Sequence, residues 1–293
     1  VLTNSTTLVT FPHVIFGAFV TAGAFLLGVS AWYLWRRREV DLFRTSARLA
    51  LIVTLVASAG VMLSGHWQAQ LMTEQQPMKM AAAEALWEDE TAAGFSIFAV
   101  GDVENGRNHI NIQIPYGLSL LATNSLDGAV EGINDIQARY ELQYGPGDYR
   151  PSIGIAYWTF RLMIGFGALA GLLALAGLWL TRRDRLPNGP WFYRLAIAGV
   201  FLPFLANTMG WIFTEMGRQP WTVFGLMTTA QAVSPGVSVG EVAATLAGFT
   251  IVYAVLAIIE VRLLLKAIRQ GPEPEGGETG DAPQTGTAPA LSY

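Results

Sequence analysis

The 293 residues would suffice for one large or two ordinary soluble domains, yet only 14% are charged while 52% are hydrophobic. That leaves too few charges for the wetted surface of a soluble protein. The formal net charge of -4 supplies no basic field to hold nucleic acid, and the absence of cysteine excludes disulfides, thiol chemistry and Cys-based zinc sites. Val1 to Ser5 carries neither an initiator Met nor a signal-peptide pattern, so the natural chain is expected to begin upstream.

A helix needs about 20 mainly apolar residues to cross a bilayer, because every backbone donor must be satisfied internally once water is absent. Five segments meet that requirement. Leu8 to Trp35 stops against Arg36, Arg37 and Arg38, and Ala47 to Gly65 follows past Arg44 and Arg48. Gly154 to Leu180 stops at Arg182, Arg183 and Arg185; beyond a Pro/Gly turn from Leu186 to Pro190, the fourth span runs from Trp191 to about Thr214. Glu241 to Leu265 is the fifth, followed by Lys266 and Arg269 and then a Gly/Pro/Glu/Thr stretch too poor in apolar surface to fold. The expected fold class is an all-α polytopic membrane protein with five transmembrane helices and one long extracytoplasmic loop. Its parts are a helix hairpin at 1–65, the loop at 66–153, three transmembrane helices at 154–268 and a disordered cytoplasmic tail at 269–293.

Cation placement gives the orientation. Of the 18 Lys and Arg, twelve cluster at the ends Arg36 to Arg48, Arg182 to Arg194 and Arg262 to Arg269. Only Lys79, Arg107, Arg139, Arg150 and Arg218 fall on the other side, and Arg161 lies inside a span. The positive-inside rule makes the first side cytoplasmic and places the loop and the stretch from Gly217 to Gly240 outside. The loop carries twelve carboxylates against four cations. Gln76-Pro77 opens a stretch read as helical from Met78 to Glu90, along the membrane edge, and His109 to Ala122 reads as an extended run meeting a helix.

Ionisable or ligating side chains are costly in a span, so they are the first candidates for function. His13 lies near the outer end of the first span, and Arg161 and Met163 near the outer end of the third. Antiparallel packing puts His13 and Met163 at similar depth, an arrangement that suits a haem with both axial sites filled. The competing readings are an interfacial histidine, a methionine that fills core space and glycines that serve ordinary helix packing. Glu215 closes the fourth span four residues after Trp211; it is either a site carboxylate or one half of an edge pair with Arg218.

The string Gly217-Arg218-Gln219-Pro220-Trp221, with Trp211 and Glu215 before it, resembles the signature of subunit I of cytochrome bd-type quinol oxidases. Three further blocks are similar in family order: the His13 helix ending in Gly28-Val29-Ser30-Ala31-Trp32-Tyr33-Leu34, the loop segment Lys79 to Glu88 with Ile112 to Gly117, and Phe160-Arg161-Leu162-Met163. The resemblance implies that His13 and Met163 ligate a low-spin haem b with Arg161 close by. Glu215 would ligate one of two high-spin haems, a haem b and a haem d, with Trp211 nearby. Lys79 and Glu84 would serve quinol binding, and Arg218 belongs to the haem-side motif. Lys79 and Glu84 lie five residues apart, roughly 140° around a helix, so they are expected to contact different partners.

The implied activity is oxidation of ubiquinol or menaquinol at the outer face of a bacterial plasma membrane, with electrons passing to dioxygen. A second large membrane subunit and small single-helix subunits are the implied partners. The family's first four helices have no counterpart here, so the chain is expected to be part of the subunit, and its loop of 87 positions from Trp67 to Ile153 lacks the insertion of long-loop members. The alternative is a transporter or structural membrane subunit in which Arg161 and Glu215 line a polar path.

Overall fold

Backbone hydrogen bonding and apolar composition select the same five segments in the structure: five helices are long and apolar enough to cross a membrane. The computed structural model describes residues 3–272, so most of the tail expected to be disordered lies outside the described residues. The chain divides into a first unit, residues 1–233, and a second, residues 234–293.

In the first unit, α1 (Ser5–Trp35) starts at Asn4, whose side chain accepts the Thr7 N–H at 2.8 Å. It packs antiparallel on α2 (Val40–Gln75) through a turn in which Arg37 and Glu39 adopt positive φ. At the far end of this hairpin Thr6 Oγ1 donates to Gln75 Oε1 at 3.0 Å. Small residues allow the close approach: a Cβ at Gly23 would lie 2.3 Å from Thr54 Oγ1, and one at Gly60 would lie 2.6 Å from the Phe16 ring. The helix α2 runs well past the apolar window Ala47 to Gly65 at both ends.

The loop begins with α3 (Pro77–Glu84), which contradicts the expected helix from Met78 to Glu90. Ala85 takes φ 49° and the Leu86 N–H reaches back to Ala81 O at 3.0 Å, a six-to-one closure that turns the chain after two turns of helix. Met78 and every residue from Met80 to Glu84 are buried within the protein. Next come β1 (Glu90–Thr91), β2 (Phe95–Asp102) and β3 (Arg107–Ile114), then α4 (Gly117–Thr123), β4 (Ala129–Val130) and α5 (Ile133–Tyr144). The pairs β1–β4 and β2–β3 are antiparallel, so the loop adds short ladders to a chain that is otherwise helical. The extended run followed by a helix, read over His109 to Ala122, corresponds to β3 and α4.

α6 (Ile153–Leu180) leaves the loop as the third long helix. The fourth span is two helices, α7 (Pro190–Ala198) and α8 (Phe201–Gly217). Pro203 explains the break, since it offers no N–H to Gly199 O four residues earlier and its ring crowds that carbonyl. Three-residue bonds fill the joint: Val200 N–H to Ile197 O at 3.3 Å and Leu202 N–H to Gly199 O at 3.1 Å. Beyond α8, β5 (Trp221–Val223) pairs with β6 (Met227–Thr228). One buried cluster joins α3 and α5 to α6 and α8, with Ala82, Ile136, Tyr157, Phe160 and Phe213 among its members. The loop is therefore packed on the spans through a shared apolar core.

The second unit contains α9 (Val239–Gln270), which includes the expected span Glu241 to Leu265. A capping box opens it: Ser238 Oγ accepts the Glu241 N–H at 3.2 Å while Glu241 Oε2 accepts the Ser238 N–H at 2.8 Å.

Candidate functional site

The turn that ends α3 carries Glu84 into the boundary between loop and α6. Its Oε2 accepts the Ser96 N–H at 3.0 Å and Arg161 Nη2 at 2.6 Å, while Arg161 Nε donates to Ser96 O. The guanidinium lies over Phe95, Tyr157 and Phe160 at 4.5, 4.6 and 5.3 Å from their ring centroids. Ser96 Oγ also meets the Tyr157 hydroxyl at 2.9 Å and donates to Asn111 Oδ1 at 2.8 Å. Residues of α3, β2, β3 and α6 thus converge on one polar node inside the apolar core.

The two charged side chains there are 1% and 8% exposed. Burial pushes the Glu84 carboxyl up to about 7, outweighing Arg161 and the Ser96 N–H, which act to lower it. Glu84 Oε1 and Arg161 Nη1 are buried without a hydrogen-bond partner. Glu84 Oε1 can accept, and Arg161 Nη1 can donate, one further hydrogen bond.

A second junction forms at the end of α8. Lys79 Nζ donates to Thr214 O at 3.3 Å and lies 4.9 Å from the Phe213 ring centroid. Gly217 makes room for this stem, since a Cβ there would fall 3.1 Å from Lys79 Cγ and Cε. Arg218 Nη2 pairs with Glu215 Oε2 at 2.5 Å, and the two side chains are 43% and 36% exposed. Burial lowers the Lys79 ammonium to about 8, helped by Arg218 and opposed by Glu215. Gln219 Nε2 donates to Glu215 O at 3.2 Å, and Trp221 stacks on Tyr149 at 5.4 Å with Tyr144 edge-on at 4.9 Å. These contacts hold the segment after α8 against α5 of the loop. Lys79 and Glu84 contact different partners, one on α8 and the other on α6 and β2.

His13 faces α2. Its Nδ1 lies 3.0 Å from Ser64 Oγ, and Ser64 donates its own hydroxyl to Gly60 O at 2.7 Å. Met163 packs beside the buried cluster, and a Cβ at Gly210 would lie 2.9 Å from its Sδ, so glycine admits the thioether between α6 and α8. Trp211, one residue on, is 70% exposed. His66 Nε2 lies 2.8 Å from Asn124 Oδ1, and His109 sits 3.4 Å from Asp102. Among the described residues no three His, Cys, Asp or Glu side chains gather as a metal cage.

The structure thus brings Glu84 to Arg161, and Lys79 to Glu215 and Arg218. Ser96, Tyr157 and Ser64 went unread in the sequence. The first two are joined to the node only by the fold; Ser64 carried a weak signal, a hydroxyl in a span one residue from Gly65.

The comparisons with known proteins agree across nearly the whole chain. The profile of the family described as cytochrome bd terminal oxidase subunit I matches residues 1–272. Cytochrome bd ubiquinol oxidase subunit 1 of Bacillus subtilis is 48% identical over 93% of this chain and 58% of that protein. Cytochrome bd-II ubiquinol oxidase subunit 1 of Escherichia coli is 28% identical over 92% of this chain and 63% of that protein. The solved bd oxidase from Geobacillus thermodenitrificans aligns with a TM-score of 0.78 at 30% identity, covering 92% of this chain and 59% of the other. The chain accordingly spans about three fifths of the length of these relatives. It belongs to the cytochrome bd terminal oxidase subunit I family.

Proposed function

We propose that this chain is the electron-transfer part of a membrane quinol:dioxygen oxidoreductase, taking ubiquinol or menaquinol at its outer loop and passing electrons toward dioxygen. The single observation that carries the reading is the Glu84–Arg161 pair at 2.6 Å, which joins the loop to the helix bearing Met163. Relatives named as ubiquinol oxidase subunits support it.

The residues present fit haem. His13 Nδ1 is engaged by Ser64, which suits ligation through Nε2, and Met163 offers an unprotonated sulfur. The unpartnered Arg161 Nη1 suits a propionate. His13 and Met163 would hold a low-spin haem b, which would supply one-electron transfer. Glu215, steadied by Arg218 and with Trp211 nearby, would hold a high-spin haem, either the second haem b or haem d. Bound there, the haems supply one-electron transfer and the centre at which dioxygen is reduced.

The chain's own groups handle the proton. Glu84, with a pKa near 7 and Oε1 unpaired, is suited to accept a quinol hydroxyl proton. Lys79 and Arg218 supply positive charge beside the end of α8. The orientation from the basic turns puts quinol protons outside, with protons for water drawn from inside. A second large membrane subunit and small single-helix subunits complete this reading.

His13→Ala and Met163→Leu test it in the assembled complex. Each is expected to abolish the low-spin haem band while the protein stays inserted, since the spans remain apolar and Met163→Leu conserves volume. Normal low-spin spectra in both variants would overturn the ligand assignment, and a complex with no Soret band at all would favour a transporter or structural subunit.

A further inference from the structure

Ser64 is 2% exposed, on the face of α2 turned toward α1. Its hydroxyl carries one hydrogen, and two carbonyls of its own helix accept it, Gly60 O at 2.7 Å and Val61 O at 3.2 Å. With that hydrogen committed to the backbone, the oxygen meets His13 Nδ1 at 3.0 Å through a lone pair. Nδ1 must then be the protonated nitrogen, and a neutral imidazole has only one such proton. The opposite assignment, with Ser64 donating to Nδ1, would give up both backbone bonds and put the proton on Nε2.

The neighbouring residue fixes the ring laterally. A Cβ at Gly65 would lie 3.3 Å from His13 Cε1, so the imidazole lies close to the backbone of α2 with no slack for a larger residue. The Val61 backbone also hydrogen-bonds the ring, so Ser64 shares with it the setting of the tautomer, and Gly65 limits the ring position.

We infer that Ser64 is a positioning residue for His13: it accepts the Nδ1–H hydrogen bond, keeps the lone pair on Nε2 and holds the ring where that nitrogen can ligate haem iron. The inference rests on the proposed role of His13 as an axial ligand. Hydrogen bonding at the far nitrogen makes an imidazole a stronger donor, which favours the ferric state and lowers the potential of the bound haem. Losing such a partner typically weakens metal holding about 10-fold or more.

The test uses the whole complex carrying Ser64→Ala or Ser64→Thr, read by redox titration of the low-spin band and by the g-values of the oxidised low-spin haem. Ser64→Ala is expected to raise the midpoint potential, change the g-spread and release haem more readily. Ser64→Thr keeps the hydroxyl and the back-bond, and is expected to match the parent. Parent-like potential and g-values in Ser64→Ala would overturn the inference. Equal disturbance in both variants would overturn it too, as packing damage. His13→Ala separates the two levels: a low-spin haem that survives it removes the ligand reading itself, whereas its loss together with a silent Ser64→Ala removes only the role of Ser64.

Discussion

Two of the ion pairs near the boundary between loop and spans differ in burial and in sequence separation. Glu84–Arg161 is sealed in an apolar core, joins residues far apart in sequence, and sits among three aromatic rings. Glu215–Arg218 lies within one helix end, three residues apart and open to solvent. An exposed pair of that kind is worth about 0 to 1 kcal/mol, while removing one partner of a buried pair costs about 3 to 5 kcal/mol because the other charge is stranded. The first pair fastens the loop to α6. The second leaves Glu215 available for another task at little structural cost.

Arg161→Met is the strongest way to break this contrast. It strands Glu84 and should destabilise the first unit by about 3 to 5 kcal/mol, seen as a lower unfolding temperature of the purified complex and faster proteolysis of the loop. Pairing it with Glu84→Gln should recover much of the loss, since no buried charge remains.

Glu84 alone predicts a pH effect of definite sign. Its folded pKa, about 7, lies above the ordinary carboxylate value, so the folded state holds the proton more tightly. The stabilisation is full below about 4.5 and is lost as pH rises through 7. Unfolding temperature should fall over that window in the parent and fall less in Glu84→Gln.

Lys79 sharpens the comparison at the junction beside Glu215 and Arg218. It is one of two lysines in the chain, and its amine should titrate near 8 in acylation measured by peptide mass spectrometry. Arg218→Gln should move that midpoint upward, because Arg218 is the second cause of the depression.

Glu215→Ala should change stability least, by about 1 kcal/mol or less. Its expected effect is chemical: one high-spin haem perturbed or lost, oxygen reduction lost, and the low-spin haem still reduced by quinol. A full haem complement with normal oxygen consumption would leave Glu215 as no more than the partner of Arg218.

The spans were legible because twenty apolar residues flanked by arginine have few other uses. The joint at Gly199 and Val200 went unread: Pro203 marks it, but the apolar run across it hid the break. Within the loop, Ile133, Ile136, Tyr140 and Tyr144 carry a helical spacing that went unread, whereas Phe95 to Asp102 is apolar without clean alternation and gives no strand signal. The stop after Glu84 had no glycine or asparagine to announce it, since Ala85 itself takes the left-handed conformation. Candidate site residues could be picked by type, as polar groups out of place. Their partners could not, because Glu84 and Arg161 are 77 positions apart and only the packing of α3 on α6 brings them together.

The measurement that tests the account most directly is anaerobic mixing of the Glu84→Gln complex with quinol, following reduction of the low-spin haem in time. Reduction by quinol should slow by about 100-fold, the scale of a lost proton acceptor, while reduction by an artificial one-electron donor keeps the parent rate. A parent-like rate with quinol, or an equal loss with both donors, would contradict the proposal that Glu84 is where the loop takes the quinol proton.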